Sequence, residues 1–327
     1  MDYVIFENYK KSLEQKYNAV CFDIDGTLTR PNSKELDQRA VDMIVNLLKR
    51  KVPVVFITGR GETGLIHLKN DLYSKLTSQH EITKNDLSRI YCITNDGAKL
   101  FFTDKKDTNN DFFNNSVYLV SKSQLNQLEE FNNKIISSLN LSLLKDYCNV
   151  TYSKDLKEET ILNIRLIFNS NNENIINSVF NIVKDVIVNN NLQDIYITRG
   201  IYENNVVLQI GIAKKEIAIN KTEEIIGVPK KSMIRIGDCG DLMGNDYSML
   251  NCEQGYSVDR ISNAENACFP IFDDTGKILK GVEATLFLIS KAKILPTVCL
   301  ERATKDDYKD NYAKIEYEIN KGKNEHF

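Results

Sequence analysis

Two acidic residues stand at the end of a short apolar run: Ala19-Val20-Cys21-Phe22 leads directly into Asp23-Ile24-Asp25-Gly26-Thr27-Leu28-Thr29. A run this short, closed by an Asp-Gly turn, reads as a buried strand rather than a helix. Strands apolar on both faces belong in sheets covered on both sides. The arrangement repeats. Residues 52–57 form a second run, broken by Thr58-Gly59-Arg60-Gly61, and residues 90–94 form a third. Between them Leu65, Leu68 and Leu72 recur at helical spacing. After the first run, Asn32 with Glu35 three residues on has the form of a capping box, and Ile44, Leu47 and Leu48 follow. Strands alternating with helices imply parallel pairing through crossover helices. The expected fold is therefore α/β, a doubly wound, Rossmann-like parallel sheet.

The alternation stops near residue 96 and resumes near 206. In between the pattern reads as a hairpin (98–102 and 116–120), a helix (124–139), an alternating strand (160–168), a second helix (173–188) and a strand (195–198), joined by Asn-rich loops at 109–111, 169–174 and 189–191. We expect a split core, residues 1–95 and 206–300, interrupted by an inserted α+β unit at 96–205. Residues 301–327 are a charged tail, an exposed helix or a frayed end.

The composition excludes several classes. In 327 residues, 42 Lys and Arg against 45 Asp and Glu leave a net charge of −3, which gives no electrostatic reason to bind nucleic acid or an anionic membrane. No apolar run approaches a membrane span, and the first residues carry charges where a signal peptide needs an apolar stretch, so a cytoplasmic protein is expected. Seven scattered cysteines form no Cys-x-x-Cys pair, against a disulfide framework or a thiolate zinc site. Cys21 and Cys92 lie in apolar runs and read as small core residues.

Four places carry chemistry. Asp23 and Asp25 sit where an open α/β sheet forms its ligand crevice, at the carboxyl end of a strand. Two carboxylates there repel each other unless a cation intervenes, and both suit a hard ion such as Mg²⁺. A plain Asp-Gly turn is the bland alternative. A calcium loop fails because its first position would be Cys21 and its twelfth Asn32. Thr58 and Gly59, before Arg60 and a helix, can hydrogen-bond a phosphoryl oxygen, or simply make a turn. Lys214 opens a helix and could neutralise such a pocket, with Lys215 as its competitor. Last, Ile236-Gly237-Asp238 opens an acidic, Gly-rich loop that runs to Asn245 and Asp246.

In order and context these four signals resemble the haloacid dehalogenase superfamily of phosphohydrolases. The inserted segment is similar to the α/β type-2 cap of its Cof-like and sucrose-phosphatase-like branch, and Asn95-Asp96-Gly97-Ala98 looks like that branch's Asn-Gly-Ala junction with one extra Asp. The resemblance spans roughly residues 17–292. It implies that Asp23 is a nucleophile forming an aspartyl-phosphate and that Asp25 is the acid and base. Mg²⁺ would be held by the Asp23 carboxylate, the Asp25 carbonyl and Asp238, with Asp246 supporting. Thr58, Gly59, Arg60, Lys214 and Asn245 would serve the phosphoryl group. The implied activity is hydrolysis of a small phosphorylated metabolite, a sugar phosphate best of all. A phosphomutase also uses this first motif, and a non-catalytic binding protein would be expected to have lost Asp23 or Asp25.

The fourth motif departs from the family pattern. Six residues, Cys239 to Gly244, stand where the pattern has two. Either Asp241 takes over the second acidic role, or the extra residues bulge and Asp246 keeps it. We favour the bulge, with Gly240 and Gly244 supplying positive φ.

Overall fold

A computed structural model describes residues 3–31, 33–77, 82–103, 113–138, 147–202 and 205–297. The Asn32 cap, the loop at 109–111 and the tail at 301–327 lie outside the described residues. In chain order the strands are β1 (Lys16–Tyr17), β2 (Ala19–Phe22), β3 (Val54–Ile57), β4 (Ile90–Thr94), β5 (Lys99–Phe102), β6 (Asn115–Tyr118), β7 (Cys148–Lys154), β8 (Ile161–Phe168), β9 (Tyr196–Tyr202), β10 (Asn205–Gly211), β11 (Met233–Cys239), β12 (Gly255–Arg260), β13 (Phe269–Phe272), β14 (Ile278–Leu279) and β15 (Lys293–Ile294). Nine of them form one sheet in the order β14-β13-β12-β11-β2-β3-β4-β5-β6, and β7-β8-β10-β9 form a second.

The stretch from β13 to β4 is parallel throughout. Its strands are buried along their length because helices cover both faces. Val20, Phe22, Val54 and Phe56 point into one apolar cluster with the helices Gln38–Lys49 and Gly281–Lys291. Ala19, Cys21, Val55 and Ile57 point into the other, with the helix Lys215–Ile226. Burying an aromatic such as Phe22 contributes about 1.5–3 kcal/mol. Cys21 and Cys92 are buried in these clusters, as their apolar context implied. The helix read from Asn32 starts later, at Asp37, whose carboxylate caps it by accepting from Arg39 N–H. Residues 3–13 form a helix that the sequence reading did not identify. No described helix is long and apolar enough to cross a membrane.

Sheet pairing moves both edges of the inserted unit. The hairpin expected to open it, β5 and β6, extends the large sheet antiparallel to β4. The strand expected to resume the core, β10, lies inside the small sheet between β8 and β9. Alternating strands look alike in either sheet, and only their partners distinguish them. The small sheet is antiparallel, and two helices, Lys122–Ser138 and Glu173–Asn189, cover one face around Phe131, Leu166, Val183 and Leu208. Its other face carries Thr151, Arg165, Gln209 and Thr198 in one cross-strand row.

Sheet order also fixes the location of a crevice. From the central pair, β2 leads outward to β3 and β4, while β11 leads the opposite way to β12 and β13. The chain reverses direction between β2 and β11. That is the switch point where open α/β sheets bind ligands.

Candidate active site

Asp23 and Asp238 stand at the carboxyl ends of the two switch-point strands. Asp23 N–H donates to Ile236 O at 2.8 Å, which ties the two strand ends together. The chain then turns sharply: the N–H groups of Thr27, Leu28 and Thr29 all reach Ile24 O, and Gly26 N–H reaches Thr29 Oγ1 at 3.0 Å. Gly26 has φ +70°, and its backbone passes so close to Asp238 that a Cβ there would stand 2.7 Å from Oδ2. Only glycine meets both demands.

The lysine of the site is Lys215, correcting the assignment of Lys214. Lys215 Nζ is fully buried, 2.5 Å from Asp23 Oδ1 and 2.5 Å from Asp246 Oδ1. Lys214 is the cap of the following helix, in extended backbone with φ −126° and ψ 151°. Consecutive side chains in extended backbone leave on opposite sides. Its ammonium therefore turns away and lies 4.2 Å from the centre of the Tyr196 ring.

Thr58 is buried at the end of β3, with its N–H on Ile93 O and its hydroxyl accepting from Arg60 N–H at 3.1 Å. Gly59 follows, close against Gln209 of β10. Arg60 does not point at this hydroxyl. Its guanidinium holds Asp25 at two points, 2.7 Å and 3.0 Å, and also donates to Lys34 O. The Asp25 carboxylate is correspondingly exposed at the mouth of the site.

In the lengthened fourth motif, Asp246 occupies the buried acidic position. It is fully buried, accepts from Lys215, and accepts from Cys239 N–H at 2.9 Å. Asp241 is half-buried, its Oδ1 against Gly244 within the bulge and 3.4 Å from Arg260. The Asn245 side chain hydrogen-bonds the Asp96 carboxylate. The extra residues do bulge, but without positive φ at Gly240 or Gly244. Those glycines serve close approach instead: a Cβ at Gly244 would collide with Cys239 O, and one at Gly240 would stand 2.8 Å from Ser257. The bulge reaches the small sheet, where Arg199 N–H of β9 donates to Met243 O at 2.9 Å.

Burial pushes the Asp23 carboxyl up; Lys215 opposes this, while Asp246, Asp238 and Asp25 add to it. Burial likewise pushes Asp238 up to about 8, reinforced by Asp246. Asp246 is held low by Lys215 and its other donors in spite of its burial. Asp25 is paired with Arg60, but Asp23, Asp238 and Asp246 share the single ammonium of Lys215 and lack positive charge. The Asp238 and Asp246 oxygens and Cys239 Sγ lie within 4.8 Å of one another. Burial and both carboxylates push the Cys239 thiol up. The donors left are carboxylate oxygens, which fit a hard divalent cation.

Sequence reasoning missed the groups that join the two sheets. Lys99 of β5 is buried in contact with Glu62 of the core and Asp155 beyond β7, and Tyr118 also donates to Asp155. Arg165 of β8 donates to Gly59 O at 2.5 Å, and Gln209 donates to Asp96. Asp96 had been visible only as an extra residue at the junction.

The family model for haloacid dehalogenase-like hydrolases matches residues 20–266, from β2 through the fourth motif. No curated protein sequence gives a significant match. Among solved structures, IMP-bound Plasmodium falciparum IMP-nucleotidase, as its D172N mutant, is 16% identical, with a TM-score of 0.59 over 86% of this chain and 70% of that one. The N-terminally truncated form of the same protein is 15% identical, with a TM-score of 0.56 over the same shares. A protein from Eubacterium rectale is 13% identical, with a TM-score of 0.51 over 84% of this chain and 98% of that one. At these identities the structures attest to the fold alone. The family match, spanning the switch-point aspartates and the buried lysine, establishes that the chain belongs to the haloacid dehalogenase-like hydrolase family and is a phosphohydrolase.

Proposed function

We propose that the protein is a Mg²⁺-dependent phosphatase of a small phosphorylated metabolite, a sugar phosphate by preference, acting through an aspartyl-phosphate on Asp23. The observation that carries this is Asp23 itself: a buried carboxylate at the switch point, with Lys215 Nζ on one oxygen. Lys215 orients Asp23 and leaves one oxygen to attack phosphorus in line. Thr58 and the Gly59 N–H receive the phosphoryl oxygens, as a turn at a helix entrance can. Asp25, exposed at the mouth, protonates the leaving oxygen and then takes a proton from the attacking water. Asp23, the Asp25 carbonyl and Asp238 would hold Mg²⁺, with Asp246 behind them; the ion would supply the charge that lets a carboxylate approach a phosphate. The unit built on β7–β10 acts as a cap that shields the site and favours small esters over phosphoproteins.

The test is release of inorganic phosphate from a panel of sugar phosphates, nucleoside monophosphates and aryl phosphates, with and without Mg²⁺. Sustained release that needs Mg²⁺ and disappears in Asp23→Asn supports the proposal. Full activity in a folded Asp23→Asn protein refutes the nucleophile, and interconversion of phosphate positions without release identifies a mutase.

A further inference from the structure

The turn after β3 takes part of its support from outside the core. Three consecutive carbonyls of this turn each accept a hydrogen bond. Asp96 N–H donates to Thr58 O at 3.0 Å and Asn95 N–H donates to Arg60 O at 3.0 Å, both from the turn that leaves β4. The middle carbonyl, Gly59 O, takes its donor from the small sheet: Arg165 Nη2 of β8 stands 2.5 Å away. Arg165 lies in the cross-strand row that also carries Gln209, and a Cβ at Gly59 would stand 3.1 Å from the Gln209 amide. The small sheet therefore rests directly on the Gly59 backbone.

A trans peptide is planar, with its C=O and N–H on opposite sides, so a group that holds the carbonyl also aims the N–H. In the Gly59–Arg60 peptide that N–H donates to Thr58 Oγ1 at 3.1 Å. A hydroxyl has one proton and two lone pairs; accepting from Arg60 N–H uses a lone pair and leaves the proton for another acceptor. In the phosphatase reading above, on which this inference rests, that acceptor is a phosphoryl oxygen. A guanidinium on the carbonyl also polarises the peptide, which strengthens the hydrogen bonds further along the chain. We propose that Arg165 is a positioning residue: it holds the Gly59–Arg60 peptide so that the Thr58 hydroxyl presents its proton to the phosphoryl group, and the phosphate-receiving turn is complete only with the small sheet seated on it. Two other roles for Arg165 make different demands. A tether between the sheets would not act through Thr58, and an arginine bound to the leaving group would discriminate among esters.

The test is kcat/KM for phosphate release by the full chain with Mg²⁺, on glycerol 3-phosphate, glucose 6-phosphate and p-nitrophenyl phosphate. Arg165→Met keeps the length of the side chain and loses its donors. It is expected to lower kcat/KM at least about tenfold, by factors that agree within about threefold among the esters hydrolysed. Arg165→Lys keeps a charged donor and is expected to recover at least about threefold of that loss. In a Thr58→Val background there is no hydroxyl to aim, and Arg165→Met is expected to cost no more than about threefold. If Arg165→Met does not fold, Arg165→Gln takes its place, with a loss of at least about threefold when Thr58 is present and no measurable loss in Thr58→Val. Losses that multiply in the double variant overturn the inference and leave a tether. A loss confined to one ester overturns it and places Arg165 on the leaving group, and unchanged kcat/KM overturns it outright. All three leave the phosphatase reading intact. Absence of phosphate release from every ester by the unsubstituted protein overturns the phosphatase reading and this inference with it.

Discussion

Lys215 lies 2.5 Å from Asp246 and 2.5 Å from Asp23, so one buried ammonium links the end of β2 to the far end of the fourth motif. Replacing it by Met leaves Asp23 and Asp246 buried without their counter-charge. Breaking a buried pair in this way costs about 3–5 kcal/mol. Lys215→Met is expected to lower the urea midpoint accordingly and to reduce phosphate release at least about a hundredfold. Lys214→Gln, which removes only the contact with Tyr196, is expected to stay within about threefold of the unsubstituted rate. Equal losses in the two variants would restore Lys214 as a candidate.

The bulged loop gives a second comparison. Asp246 is enclosed by Lys215 and the Cys239 N–H, whereas Asp241 faces Arg260 near the rim. Asp246→Asn is expected to raise the Mg²⁺ concentration needed for half activity at least about tenfold, the usual scale for a group supporting a metal site. Asp241→Asn is expected to leave it within about twofold. The opposite ranking would move the supporting acid to Asp241.

Asp23, Asp25, Thr58 and Asp238 were legible as strand-end groups because each is set by local sequence: an apolar run ends and a polar group follows. Lys214 was one position off because helix phase depends on where the first turn starts, and nothing local distinguishes the cap from the first helical residue. The hairpin β5–β6 and strand β10 were placed in the wrong unit because an alternating strand does not encode its partner. Asp96 was legible only as an extra residue at the junction, and Arg165 and Gln209 were not legible at all. Their place follows from the two sheets meeting at the turn after β3, across more than one hundred residues of chain for Asp96 and Gln209.

Lys99 holds Glu62 of the core and Asp155 of the cap in one buried cluster. Burial works against ionising Asp155, but Lys99, Tyr118 and the Glu158 and Lys157 N–H groups outweigh it and hold the carboxyl well below the usual range. A depressed carboxyl contributes stability that is present above its unfolded pKa, about 3.9, and is lost as pH falls toward its folded value. The urea midpoint is therefore expected to decline on acidification below about pH 5, and to decline less steeply in Asp155→Asn. Parallel acid limbs in the two proteins would show that the cluster does not set the acid stability.

Two glycines with positive φ separate backbone strain from site geometry. Gly26 has φ +70° and Gly227, at the end of the helix Lys215–Ile226, has φ +67°. An alanine at either position meets the same backbone penalty, about 1–2 kcal/mol. Only at Gly26 does the added methyl also strike a functional group, the Asp238 carboxylate at 2.7 Å. Both Gly26→Ala and Gly227→Ala are expected to lower the urea midpoint, Gly26→Ala by more because its methyl also meets Asp238. Gly227→Ala should then keep its turnover and its Mg²⁺ requirement at temperatures where it is folded. Gly26→Ala should lose at least about tenfold in turnover, with more Mg²⁺ needed for half activity, because Asp238 cannot keep its position beside the loop that follows β2. Full turnover in a folded Gly26→Ala protein would mean that Asp238 can move aside without consequence, and would remove it from the proposed metal site.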